Sequence, residues 1–275
     1  MHPTEIGRPR ATDFGVTTNA KLLDCMDLLS KEEKSSDLLN LGSVYVNCER
    51  MSENISLKPG DHVRVHCQPR RFPLTRLAPR VALETEDFWV FDKPPGLPMH
   101  ATCDNRQENL LSFVESEFGM KAFLCHRLDI PTSGLVLVAK SALFQRQFQR
   151  LLEQRQVGKW YEAFTESAPP IGPLSHFMET GKKGTKRLSE TAVPGWKACH
   201  LVVEESVATR EGHRVKIRLL TGRHHQIRAQ LSKVGSPIHG DLDYGSKVKG
   251  PLRLRCVGLS FLKHQVMLPH SVPTP

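Results

Sequence analysis

Asp129 lies in the stretch CHRLDIPTSGLVLVAK, Cys125 to Lys140, beside the basic residues His126 and Arg127 and directly ahead of an apolar run. Alone, an aspartate before Ile-Pro-Thr is an ordinary turn or cap residue, because its short side chain bonds to nearby backbone amides. Tyr161, in KWYEAF, reads alone as a half-buried strand aromatic, and Arg223, in TGRHHQIR, as an arginine facing solvent or phosphate. The histidines His224, His225 and His239 and the pair Asp241 and Asp243 match neither zinc nor EF-hand spacing. No second carboxylate pairs with Asp129 as in a glycosidase, and no metal constellation suggests a nuclease.

These residues must be positioned by regular elements. GLVLVAKS has the apolar signature of a buried strand, Leu135 to Ala139. Ser141 then suits the N-cap of LFQRQFQRLLEQRQ, whose Phe144, Phe148 and Leu151 share one face. KWYEAF alternates as a strand, with Tyr161 and Ala163 on one side. RVKIRL is a second strand, with Arg214, Lys216 and Arg218 on one side and Val215, Ile217 and Leu219 on the other. The turn Thr221-Gly222 leads into a helix carrying Ile227, Leu231 and Val234 and stopped by Gly235.

Upstream, residues 1–20 read as an irregular leader. Residues 21–67 form a small module, with Leu22, Met26 and Leu29 on one helical face and the strands SVYVN and HVRVH after it. Gln68 to Arg80 carries four arginines, three prolines and no acid and reads as a basic linker. Residues 81–275 then alternate strand-like and helical patterns without a repeat, as a mixed α+β domain does.

A net charge of +9 and an isoelectric point near 9.3 suit a polyanionic partner: RNA, DNA or an acidic membrane. Between Gly212 and Gly240 there are six Lys or Arg residues and no acid. The loop GKKGTKR, with Lys182, Lys183, Lys186 and Arg187, is either a solvated loop or a phosphate contact. Seven scattered cysteines without a CxxC argue against disulfides or structural zinc, and no apolar run reaches the roughly 20 residues that span a bilayer. A cytoplasmic, reduced protein is expected.

The HRLD and TSG of the Asp129 stretch, followed by an apolar strand, closely resemble the catalytic motif of the RluA-type pseudouridine synthases. Three further blocks stand in that family's order: VFDKPPGLPMH at Val90 to His100, KWYEAF, and LLTGRHHQIRAQL with GSPIHGDLDYG at Leu219 to Gly245. The resemblance spans about Leu83 to Lys263 and implies a mixed, mainly antiparallel sheet with flanking helices and a central cleft. GSVYVNCERMSENISLKPGDHVRVH resembles the second half of an S4 RNA-binding domain, without the usual basic first half.

By position, the resemblance makes Asp129 the catalytic carboxylate, Arg223 its buried cationic partner and Tyr161 the ring that stacks on the uracil. It makes Arg127 the residue that fills the gap left by a flipped nucleotide. His126, Thr132, Lys93, Gln226, Arg228, Leu254 and Val257 are the expected substrate-binding set, with Lys93 supporting the cleft and Leu254 and Val257 walling the uracil pocket. Arg214, Lys216, Arg218 and the GKKGTKR loop are candidates for the RNA backbone. The expected activity is isomerisation of uridine in ribosomal RNA of the large subunit or in transfer RNA by a monomer without metal or organic cofactor. The rival is a catalytically silent RNA-binding protein on the same scaffold.

Overall fold

The computed structural model describes residues 11–27, 34–181 and 184–269, in two compact units. The smaller comprises described residues up to Ala78 and the segment Leu97–Met120. Its strands β1 (Ala11–Gly15), β3 (Val44–Val46), β4 (Glu49–Arg50) and β6 (His62–His66) form an antiparallel sheet in the order β1-β6-β3-β4. Short strands β2 (Ala20–Lys21) and β5 (Ser56–Leu57) pair separately. Helices α1 (Leu22–Asp27) and α2 (Ser35–Leu41) cover a core of Leu22, Met26, Leu38, Val44, Val63 and Val65. A third helix, α3 (Leu110–Phe118), is capped by Asn109, whose side chain accepts from Ser112 N–H.

Three expectations change here. Residues 11–15 are a strand paired along its length with β6 rather than an irregular leader; the first ten residues, like Leu29, lie outside the described residues. The expected basic linker is packed: Phe72 is buried, Arg70 is bound to Asp104, and Arg71 is bound to Glu108. Residues 97–120 also belong to this unit, so the expected boundary at residue 80 is not a single crossing. The acids that engage the arginines of 68–80 lie over 30 residues downstream, which local composition does not reveal.

The larger unit, 79–96 and 121–269, is built on one 11-stranded sheet. Its strands are β7 (Arg80–Glu84), β8 (Phe88–Lys93), β9 (Phe123–Leu124), β10 (Ser133–Ala139), β11 (Gly158–Thr165), β12 (Gly172–Met178), β13 (Leu188–Ser189), β14 (Lys197–Thr209), β15 (Gly212–Leu219), β16 (Leu254–Phe261) and β17 (His264–Met267). The main path runs β13-β12-β14-β15-β11-β16-β10-β8-β7, with β17 on β16 and β9 on β10. Every pairing is antiparallel except β10 with β16. Leu135 to Ala139 have no exposed surface, as a strand covered on both faces requires.

Helix α4 (Ala142–Glu153) starts as expected, with Ser141 Oγ accepting from Phe144 N–H. Its apolar face packs Phe144 on Phe88, centroids 5.0 Å apart, and Phe148 on Phe261 at 5.3 Å. Helix α5 (Gln226–Lys233) differs from an ordinary amphipathic helix: all six residues from Gln226 to Leu231 are buried. Its polar residues must therefore find partners inside the protein.

Gly134 fixes the turn that carries Asp129. At φ +103 it adopts a backbone open mainly to glycine, and a Cβ there would lie 2.1 Å from the carbonyl oxygen of Cys256. The TSG sequence thus lets β10 begin against β16.

Candidate active site

Asp129 lies on the loop before β10, and Thr132 N–H bonds back to its carbonyl to close the turn. A cavity of about 840 Å³ opens here, lined among others by Arg127, Asp129, Thr132, Tyr161, Arg228 and Leu254. Loop, β11, β16 and the start of α5 therefore converge, although their sequence positions span more than 120 residues.

The cation beside Asp129 is Arg228, not Arg223. Arg228 Nη1 is 3.8 Å from Asp129 Oδ2, and its side chain is only 5% exposed. Its other nitrogens are held by Asp241, at 2.8 and 2.6 Å, and by Asp243 at 3.1 Å. Burial opposes its charge, but Asp241, Asp129 and Asp243 together outweigh that and raise the guanidinium pKa. Arg223 lines the cavity from an exposed position on the turn before α5. The reason is helical geometry: Arg228 projects from the all-buried stretch of α5, while Arg223 precedes it.

His225 approaches the same carboxylate oxygen of Asp129, Nε2 to Oδ2 3.8 Å. It adopts a left-handed backbone, φ 58, at the N-cap of α5, a conformation that costs a non-glycine residue of order 1 kcal/mol. Burial, then Arg228 and His224, lowers its pKa to about 3, so the imidazole is neutral at pH 7. His224 stacks on it at 3.8 Å. For Asp129 itself, burial raises the pKa, against the pull of Arg228, His224 and Lys93.

Asp129, His224 and His225 bring three donor atoms within 4.8 Å of one another. Arg228 beside them, with the charges of Lys186 and Arg127 acting on His224, makes the neighbourhood positive and suits an anion better than a metal cation. Sequence spacing missed this grouping because Asp129 and His225 approach only through the fold.

Tyr161 is 5% exposed and stands beside the Cys256 thiol. Burial first, and then Cys256 and Asp129, raises its pKa well above 10, so the phenol keeps its proton and offers a rigid aromatic wall. Leu254, on the same face of β16 as Cys256, lines the cavity. Val257 sits at the bulge where the register of β16 against β11 shifts by one residue, and it does not line the cavity. Thr132 is 2% exposed, and its hydroxyl has no partner among the described residues.

Other expected contacts have internal roles. His126 Nε2 accepts from Leu137 N–H at 3.1 Å, its ring stacks on Phe148, and burial lowers its pKa to about 3. Gln226 Oε1 accepts from Thr221 Oγ1 and Arg223 N–H, while its Nε2 donates to the His200 carbonyl and Gln230, which ties the turn to α5. Lys93 lies outside the cavity and donates to the carbonyls of Pro94 and Ile130, which braces the Asp129 loop.

The basic strand face is neutralised. Glu204, on β14, lies 3.7 Å from Lys216 and 3.4 Å from Arg218, and Arg214 is near Glu162 and Glu205. β15 alone shows only its basic side; its neighbour in the sheet supplies the acids. Arg187 pairs with Glu179 at 2.8 Å, Lys186 is held through its backbone by Tyr244, and Lys182 and Lys183 lie outside the described residues. The cavity lining, by contrast, has Arg127, Arg155, Lys159, Arg223 and Arg228 against Asp129 and Glu153.

Known proteins bear on this site. Residues 87–233, more than half of the chain, match the family model described as RNA pseudouridylate synthase. RNA pseudouridine synthase 6, chloroplastic, of Oryza sativa is 31% identical over 70% of this chain and 46% of its own length. Ribosomal large subunit pseudouridine synthase D of Vibrio cholerae is 32% identical over 66% of this chain and 57% of its own. The chain thus spans about half the length of these relatives. The solved human RNA pseudouridylate synthase domain containing 4 shares the fold, with a TM-score of 0.57 at 22% identity over 71% of this chain and 89% of that one. The sheet with Asp129 at its central cavity is the fold that the RluA-type motifs imply, and this chain belongs to the RNA pseudouridylate synthase family.

Proposed function

We propose that this protein isomerises uridine to pseudouridine in RNA, with Asp129 as the carboxylate that acts while the bond from N1 to C1′ breaks. The observation that carries this is the placement of Asp129 Oδ2 3.8 Å from both Arg228 and neutral His225, in a cavity walled by Tyr161. The freed uracil turns, C5 bonds to C1′, and the proton lost from C5 is balanced by one gained at N1. Tyr161 gives the turning base a flat wall, and exposed Arg127 and Arg223 give the flanking phosphates cations at the rim. Thr132, Arg228 and Leu254 complete the binding surface, while Lys93, His126 and Gln226 hold it in shape.

The target we favour is ribosomal RNA of the large subunit, on which the named Vibrio relative acts. In the smaller unit, Arg64, Arg70 and Arg71 are each paired with an acid, so we assign RNA holding to the cavity rim rather than to the S4-like segment. Mapping pseudouridine in total RNA from cells with and without the gene tests target and activity together. Sites should vanish on deletion, return with the native chain and stay absent with Asp129→Asn. Restoration by Asp129→Asn would remove the assignment, and sites confined to transfer RNA would change the target.

A further inference from the structure

One cation of the cavity wall, Lys159, has no part in the proposed reaction. Lys159 is two residues before Tyr161 on β11, so both side chains leave the same face of the strand, and both line the cavity. Lys159 is 9% exposed. Burying an ammonium is costly unless partners replace its water. Lys93 has carbonyl partners and Arg228 has two aspartates, but among the described residues Lys159 has no hydrogen bond or ion pair within the protein.

Among the described residues its surroundings supply no anion either. A Cβ at Gly222 would stand 3.1 Å from Lys159 Nζ, so the amine rests against the Thr221-Gly222 turn, where glycine leaves it room. Burial pushes the nearby Cys256 thiol up to about 12 and the His126 imidazole down to about 3, so both are neutral at pH 7. Burial likewise lowers the pKa of Lys159, which marks its charge as uncompensated.

We propose that the Lys159 ammonium binds a carbonyl oxygen of the target uracil and stabilises the negative charge that the base acquires when its bond to C1′ breaks. The electron pair of that bond leaves with N1 and spreads onto the carbonyl oxygens. Lys159 donates a hydrogen bond to one of them and transfers no proton; the pair is then used to form the bond from C5 to C1′. A base is favoured over a phosphate because Lys159 is 9% exposed and stands beside buried Cys256, on the strand face of Tyr161, whereas Arg127 and Arg223 are exposed. A positive charge fixed beside developing charge is a large catalytic lever.

This inference rests on the proposed reaction, and its test separates the two. The full chain, Lys159→Met and Lys159→Gln would be compared on total RNA from cells lacking the gene, by single-turnover pseudouridine formation, RNA affinity against salt, and melting. Loss of one such donor is expected to slow the single-turnover rate of Lys159→Met about 100-fold, with Lys159→Gln in between because it donates without charge. RNA affinity should stay within about threefold, because phosphate contacts supply most of it, and Lys159→Met should melt no lower than the native chain. An unchanged rate would overturn the inference. So would weaker binding with a flatter salt dependence at an unchanged rate, which would assign Lys159 to a phosphate, or a lower melting temperature in both variants, which would make it structural. If the native chain forms no more pseudouridine than Asp129→Asn, the proposed reaction fails and takes this inference with it.

Discussion

Two aspartates in this molecule stand beside arginines, and they are treated in opposite ways. In the smaller unit Asp104 is fully buried and accepts three bonds from Arg70: 2.8 Å from the backbone N–H, 3.0 Å from Nε and 2.7 Å from Nη2. Burial would raise its pKa, but those bonds prevail and hold the carboxyl well below the usual range. In the larger unit Asp129 is a fifth exposed and has its charged neighbour Arg228 at 3.8 Å, while Arg228 gives its short bonds to Asp241 and Asp243. A carboxylate with all its bonding satisfied holds structure together; one left short of bonds beside a fixed charge retains its reactivity.

The largest expected effect comes from Asp129→Asn. Loss of an essential reacting group removes at least about 10⁴-fold of rate, whereas the melting temperature should hardly move, since no short bond is lost. Arg228→Met should be inactive and also destabilised by about 3–5 kcal/mol, because it strands the buried Asp241. Adding Asp241→Asn should restore part of the stability but none of the activity; full stability in the single variant would break the contrast.

Asp104→Asn should destabilise by about 3 kcal/mol, near the low end for a buried pair because Arg70 keeps a quarter of its side chain in water. Its depressed pKa gives the sign: this stability is present above the unfolded aspartate value of about 3.9 and is lost as pH falls below it. The melting difference between native chain and variant should therefore be widest near neutral pH and narrow in acid. Arg223→Ala should have the smallest effect, within about 0.5 kcal/mol in stability, with the salt slope of RNA binding reduced by about one. A large loss of stability would return Arg223 to the buried role its motif position suggests.

Much of the scaffold is legible locally. The run Leu135 to Ala139, the Ser141 cap with Phe144 and Phe148, and the turn ahead of α5 are fixed by periodicity and capping within a few residues, and they form as expected. Asp129, Tyr161, Thr132 and Leu254 reach one cavity as their motifs imply. The choice between Arg223 and Arg228 was not legible, because both flank HHQI and differ only in which one α5 turns inward. Nor was the neutral balance of the β15 face, since Glu204 lies more than ten residues upstream and meets Lys216 and Arg218 only through strand pairing.

The amino-acid sequence by itself determined the family, the motif that holds Asp129 and the strands and helices that carry it, because motifs and hydrophobic periods are local and ordered along the chain. Tertiary structure decided which charges are satisfied. It bound Arg70 to Asp104 across 34 residues, turned Arg228 toward Asp129 across 99, and left Lys159 without an anion among the described residues. Pairing of buried charges depends on distances through space, and those exist only once the sheet has closed around the cavity.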